Sequence, residues 1–119
     1  MKAIQLIKYG SSLNAFKTAE IPTPLLSEKE EVLIKVHAFG LNFADVMARK
    51  GLYRAAPDLP AVLGYEVVGE IIKVQDPEND YLIGKRVLCL TRFGGYAEFV
   101  KSNKSIIKII PSSLSDGQA

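Results

Sequence analysis

Residues 32–39 carry the feature that most limits how this chain can fold. Val32, Ile34, Val36 and Ala38 alternate with Leu33, Lys35, His37 and Phe39. Side chains two apart share a face in an extended strand and diverge in a helix. β-Branched residues at alternate positions also suit a pleated surface. The run predicts a strand, and a strand with one apolar face needs a second layer over it. The rest of the chain supplies more of the same. Residues 2–8 and 15–21 read as strands before it, and 65–74, 86–91, 96–101 and 105–110 as strands after it. Pro22 and Pro24 stop regular pairing after the second strand, because proline has no N–H to give a ladder. Gly69 interrupts 65–74, where a bulge or a close backbone approach is expected. Glu28–Glu31 is a solvated charged turn, Asp76–Asp80 a turn, and Gly94-Gly95 a hairpin or loop.

One segment changes character. Phe43, Val46 and Met47 recur at helical spacing, Asn42 stands where an N-cap belongs, and Gly51 where a C′ glycine belongs. A short helix over 43–50 is expected. Pro111–Asp116 reads as the start of another, capped by Ser or Asp. Many short strands at close spacing argue for a mainly β barrel or sandwich rather than a parallel α/β sheet.

Composition removes several classes of function. With 119 residues, 48% hydrophobic and 24% charged, the chain has the makings of one globular domain. Its net charge of +2 is spread along the chain, so nucleic acid is not an expected partner. Cys89 is the only cysteine, so no internal disulfide can form. No signal peptide and no apolar run of membrane-spanning length is present, and a soluble cytoplasmic protein with no membrane association is the expectation. The chain contains no GxG, no P-loop and no nucleophile elbow. Cys89 and His37, the only residues of their kinds, make no close-spaced zinc ligand set.

Two strings say more. Gly40-Leu41-Asn42-Phe43-Ala44-Asp45-Val46-Met47-Ala48-Arg49-Lys50-Gly51-Leu52-Tyr53 is one. Leu59-Pro60-Ala61-Val62-Leu63-Gly64-Tyr65-Glu66-Val67-Val68-Gly69-Glu70-Ile71 is the other. With Gly84-Lys85-Arg86-Val87 and Gly94-Gly95-Tyr96-Ala97-Glu98, they resemble the N-terminal part of zinc-free quinone oxidoreductases. These are medium-chain dehydrogenases/reductases, and the first string is most similar to the vesicle amine transport protein branch. The resemblance covers essentially the whole chain.

The resemblance implies a GroES-like, partly open β-barrel over residues 1–119, with a Rossmann domain expected beyond it. NADPH would be bound mainly by that second domain, and the acceptor would be a small quinone or enone. It also implies a homodimeric parent and an isolated domain without activity. The alternative is a non-enzymatic interaction module, or a gene remnant, built on the same fold. Zinc alcohol dehydrogenases place a cysteine ligand at the position of Asn42 and a histidine ligand at that of Tyr65. An amide and a phenol are poor substitutes, so no zinc is expected.

The catalytic set so implied is Asn42, Asp45 and Tyr53. The cofactor-facing set is Asn42, Tyr53, Tyr65 and Thr91. Each has a plainer reading beside it. Asn42 is a helix cap, and Asp45 a first-turn acid favoured by the helix dipole. Tyr53 is a lid on Pro57, Tyr65 a filler of the vacated metal position, and Thr91, with Arg92, part of a hairpin. Glu66 reads as structural, His37 as an ordinary strand residue, and Cys89 as a buried small hydrophobe.

Overall fold

A computed structural model describes all residues, 1–119. The strands are β1 (Lys2–Leu6), β2 (Phe16–Glu20), β3 (Glu31–Phe39), β4 (Ala61–Val62), β5 (Glu66–Val74), β6 (Arg86–Leu90), β7 (Phe99–Asn103) and β8 (Ile107–Ile109). Two α-helices, α1 (Ser12–Ala15) and α2 (Phe43–Arg49), and two 3₁₀ turns (Pro77–Leu82 and Lys104–Ile106) interrupt them. The strands form two antiparallel sheets, β2-β1-β4 and β7-β3-β5-β6-β8. The fold is mainly β, as expected.

Residues 96–98 join the two sheets. Ile4 N–H donates to the Tyr96 carbonyl (2.8 Å), and Glu98 N–H donates to the Lys2 carbonyl (3.1 Å). The Glu98 carbonyl in turn accepts from Val36 N–H (2.8 Å). One short segment therefore bonds to β1 on one side and β3 on the other, and the sheets curl into a half-closed barrel.

Two apolar centres follow. The larger sheet buries Val32, Ile34, Val67, Ile71, Val87 and Cys89 in one cluster, with Leu82, Val100 and Ile107 closing it. Full burial of such aliphatic side chains is worth roughly 1.5–3 kcal/mol each. Cys89 is wholly buried and its thiol is pushed up by that burial, so it behaves as the packing residue the sequence suggested. The second centre gathers Leu6, Ala15, Ala48, Ala61, Leu63 and Tyr96 between the smaller sheet and the helices.

The central strand shows where alternation fails. Val32 and Ile34 are buried as expected, but Leu33 on the opposite face is buried too. Register then shifts at His37, because Val36 pairs with Gly69 and Ala38 with Val68. A second shift leaves Ile72 unpaired on β5. Gly69 itself stays in register, and its role is the close approach: a Cβ there would run into the Lys35 carbonyl oxygen.

Helix α2 has the predicted ends, with Asn42 extended at the N-cap and Gly51 at φ 74° just past the C-terminus. Other boundaries moved. The helical turn α1 occupies the ground before β2, with Ser11 Oγ accepting from Leu13 N–H (3.3 Å). The strand expected over 96–101 begins only at Phe99, because 96–98 serves two sheets at once. A 3₁₀ turn takes the first part of 105–110. The expected helix start at Pro111–Asp116 is instead a run of turns. Asp116 is held there by Arg86 (2.7 Å) and by His37 Nδ1 (3.3 Å).

Glu31 anchors the loop before β3. Its carboxylate accepts from Ser27 N–H (2.7 Å) and Glu28 N–H (3.1 Å), and Lys101 Nζ lies 2.9 Å away. The Ser27 amide, then Lys101, then the Glu28 amide lower its carboxyl from 4.5 to about 2. A depressed carboxyl contributes stability above its unfolded value and loses it as pH falls.

Gly69→Ala should lower stability by about 3 kcal/mol or more in urea denaturation, since the obstacle is backbone. Gly117→Ala, with open space around it, should stay within about 0.5 kcal/mol. Between pH 4.5 and about 2 the chain should lose stability, and Glu31→Gln should flatten that part of the pH–stability curve.

Candidate functional site

The site is built around the Asp45 carboxylate, which is only 6% exposed. Asp45 lies in the first turn of α2. Its Oδ2 accepts from the Asn42 backbone N–H (2.9 Å), and its Oδ1 accepts from Gly64 N–H (3.3 Å). One buried acid thus ties the start of α2 to the residue before Tyr65. Tyr96 faces it from the segment that joins the sheets, and the Tyr96 phenol is pushed well above its ordinary range, first by burial and then by Asp45.

Gly64 has a geometric reason to be glycine. Its φ is 106°, and an added Cβ would lie 2.8 Å from Gly95 Cα and from Tyr96 N. The Gly64 carbonyl accepts from Gly95 N–H (3.1 Å) and from the Thr91 hydroxyl (2.6 Å). The next carbonyl, of Tyr65, accepts from Thr91 N–H (2.7 Å) and Arg92 N–H (3.2 Å). Residues 91–95 and 64–65 are therefore locked together by backbone.

On this frame three rings form an aromatic wall. Tyr65 and Phe93 have centroids 5.4 Å apart, Tyr53 and Tyr65 6.1 Å, and Tyr53 and Phe93 6.4 Å. All three pairs are tilted, within the range of favourable aromatic contacts. Burial pushes the Tyr65 phenol up to about 12; the neighbouring Tyr53 hydroxyl and the Asp45 charge push the same way, and Arg92 opposes them. The Tyr65 hydroxyl is buried without a hydrogen-bond partner, and so is Asn42 Nδ2. A cleft of about 290 Å³ opens beside α2, lined by Ile4, Phe39, Leu41, Asn42, Asp45 and Tyr96 among others.

The five residues expected from the sequence thus fall into one neighbourhood. Asn42 and Asp45 share the head of α2, Tyr53 and Tyr65 share the aromatic wall, and Thr91 braces the loop beneath it. Tyr53 packs against the rings of Tyr65 and Phe93. Glu66 lies against Gly40, where a Cβ would meet its side chain. Phe93 and Tyr96 were not foreseen as site residues. Their one signal is position: they flank Gly94-Gly95, where the chain must pass close to Gly64. No group of three His, Cys, Asp or Glu residues is placed to hold a metal ion, and the amide of Asn42 and phenol of Tyr65 do not suit zinc.

The curled antiparallel sheets, with a single short helix heading an acid-clamped cleft, define a barrel-type lobe. The profile of the alcohol dehydrogenase GroES-like domain matches residues 28–112. The chain belongs to that family. Among curated relatives, mouse quinone oxidoreductase is 36% identical over 117 residues, covering 96% of this chain and 34% of the relative. The solved structure of human synaptic vesicle membrane protein VAT-1 homolog-like superposes with a TM-score of 0.88 at 32% identity, over 98% of this chain and 37% of that one. Quinone oxidoreductase from Thermus thermophilus, solved alone and with NADPH, gives 0.78 at 34% identity, over 98% and 34%. The resemblance seen in the sequence is borne out, and the chain spans about a third of the length of these relatives.

The acid clamp gives a direct expectation. Asp45→Ala leaves two backbone N–H groups without their acceptor and should cost about 2–4 kcal/mol in urea denaturation. Thr91→Val, which removes one hydrogen bond to Gly64, should cost about 1 kcal/mol.

Proposed function

We propose that this chain is the acceptor-side wall of a zinc-independent, NADPH-dependent reductase of quinones or related conjugated carbonyls, inactive by itself. The observation that carries the reading is the pair of orphaned donors. Asn42 Nδ2 and the Tyr65 hydroxyl are both buried and unpartnered. The Asp45 carboxylate holds the backbone N–H of Asn42 itself and that of Gly64, the residue before Tyr65. An unpaired buried donor costs about 1–3 kcal/mol, and a native chain that keeps two calls for an explanation. Carbonyl and carboxamide oxygens are the acceptors such donors lack.

The residues fit a nicotinamide and a carbonyl acceptor better than they fit a metal. Asn42, Tyr65 and Tyr53 would hold the carboxamide or the acceptor oxygen, with Thr91 at the edge. When bound, NADPH supplies a hydride; the protein's own part is placement. The rings of Tyr53, Tyr65 and Phe93 exclude water from one side. Because Tyr65 stays protonated far above neutral pH, it donates a hydrogen bond without surrendering its proton. The proton that completes reduction comes from solvent.

A single wall does not enclose a ligand, so activity belongs to a longer parent. The named relatives, quinone oxidoreductases among them and one solved with NADPH, support this reading. A non-enzymatic interaction module remains the second reading. Leu41 (81% exposed) and Phe43 (75%) flank Asn42, and one relative is named as a synaptic vesicle membrane protein.

Calorimetric titration with NADPH separates the two. This chain should show no saturable heat, while a chain extended past Ala119 into a nucleotide-binding domain should bind. Equal binding by both would overturn the reading of this lobe as one wall of a two-part site.

A further inference from the structure

His37 is the residue at which β3 slips against β5. Val36 pairs with Gly69 and Ala38 with Val68, so nothing on β5 stands opposite the residue between them. Bulges often serve to re-aim a side chain. Here the imidazole Nδ1 lies 3.3 Å from Asp116 Oδ2. Arg86, on β6, holds the other oxygen, with Nε 3.2 Å and Nη2 2.7 Å from Oδ1. Strand β5 lies between β3 and β6, so one carboxylate reaches across a whole strand.

The segment that carries this carboxylate has little else to hold it. From 111 to 119 only Leu114 and Asp116 are half-buried, and the rest is exposed. Its own bonds are local. Gln118 N–H donates to Ser115 Oγ (3.2 Å), Ser115 N–H to Gln118 Oε1 (3.0 Å) and Ala119 N–H to the Ser115 carbonyl (3.1 Å). Every hydrogen bond and ion pair from the segment to the barrel runs to Arg86 or His37. These include the Leu114 carbonyl, which accepts from Arg86 Nη2 (2.9 Å).

We propose that Arg86, His37 and Asp116 form a latch that docks residues 111–119 on the larger sheet and loosens between about pH 6 and about pH 8. The Arg86 arm has a constant charge and sets the place. The His37 arm is a charged pair only while the imidazole is protonated. The groups around it are Lys35 on its own strand, Glu70 on β5 opposite Lys35 and Arg86, and Lys108 on β8 opposite Leu88. Lys2, Tyr96 and Glu98 line a groove between the sheets with His37. Of such groups only an imidazole ordinarily changes charge in that window. Arg86 first, and His37 after it, hold the Asp116 carboxyl below its ordinary range, so the acid stays ionised throughout. A protonated imidazole binds a carboxylate more tightly than a neutral one, so docking is firmer at the lower pH. A part-exposed pair is a modest interaction, and a segment with so little buried surface responds to a modest change. Under the acceptor-wall reading a nucleotide-binding domain would join the lobe through this segment, and docking would set the direction of the join. The latch itself stands on residues of this chain alone.

The test uses the 119-residue chain labelled with nitrogen-15. Backbone order parameters of residues 113–119 should be about 0.85 at about pH 6 and should fall by about pH 8. Asp116→Asn, a change confined to the segment, should bring them below about 0.6 at both. His37→Gln should hold them at both at the level the wild type shows at the higher pH. Equal order at the two pH values in the wild type overturns the proposal, and so does the same fall in His37→Gln. A segment as ordered in Asp116→Asn as in the wild type also overturns it. None of these outcomes touches the acceptor-wall reading, which stands or falls on the NADPH titration.

Discussion

The Asp45 carboxylate is the constraint on which the rest of the site depends. It is buried, it sits one turn into a short helix, and it accepts backbone hydrogens from both Asn42 and Gly64. A seven-residue helix has little stability of its own in water. The clamp gives α2 a fixed start and gives the Gly64 turn a fixed position relative to it. Through Gly64 the constraint passes to Thr91, and through the Tyr65 carbonyl to the loop that carries Phe93. The placement of the aromatic wall is thus a backbone matter before it is a side-chain matter.

That organisation separates two jobs that one residue type could have shared. Asp45 spends its oxygens on main-chain amides and orients others. Asn42 and Tyr65, anchored through it, keep polar atoms without partners. The resemblance read from the sequence implies that zinc-bearing relatives carry metal ligands at the corresponding positions. Here the same frame presents neutral hydrogen-bond donors. Chemistry can change at such a site by changing the two presented side chains while the clamp beneath them stays.

How much of this is legible in the sequence depends on the range of the interaction. Helix α2 is local: Asn42 before it, Gly51 after it and apolar spacing between make its ends readable. The alternation of β3 is local as well. The bulge at His37 is not, because it reflects the register of β5 across the sheet. Strand β4, two residues long, is too short to carry any period. Residues 96–98 look like the start of a strand, and only the presence of β1 on one side and β3 on the other shows that they bridge two sheets. Among the site residues, Asn42, Asp45, Tyr53, Tyr65 and Thr91 came from a motif resemblance. Their convergence on one carboxylate and one aromatic wall comes from the fold.

The bridge at residues 96–98 also bears on how the chain reaches this structure. Strand β1 can pair with β2 as soon as the chain as far as Glu20 has left the ribosome. Its opposite edge has to wait for β4, and then for Tyr96 and Glu98. For most of synthesis that edge is an open row of amides and carbonyls beside Ile4 and Leu6, the kind of surface that recruits stray strands. The Lys2 amide finds the Glu98 carboxylate only when most of the lobe has been made. Barrel closure is therefore a late event tied to the far end of the domain, and the open edge of β1 is exposed to stray pairing until then.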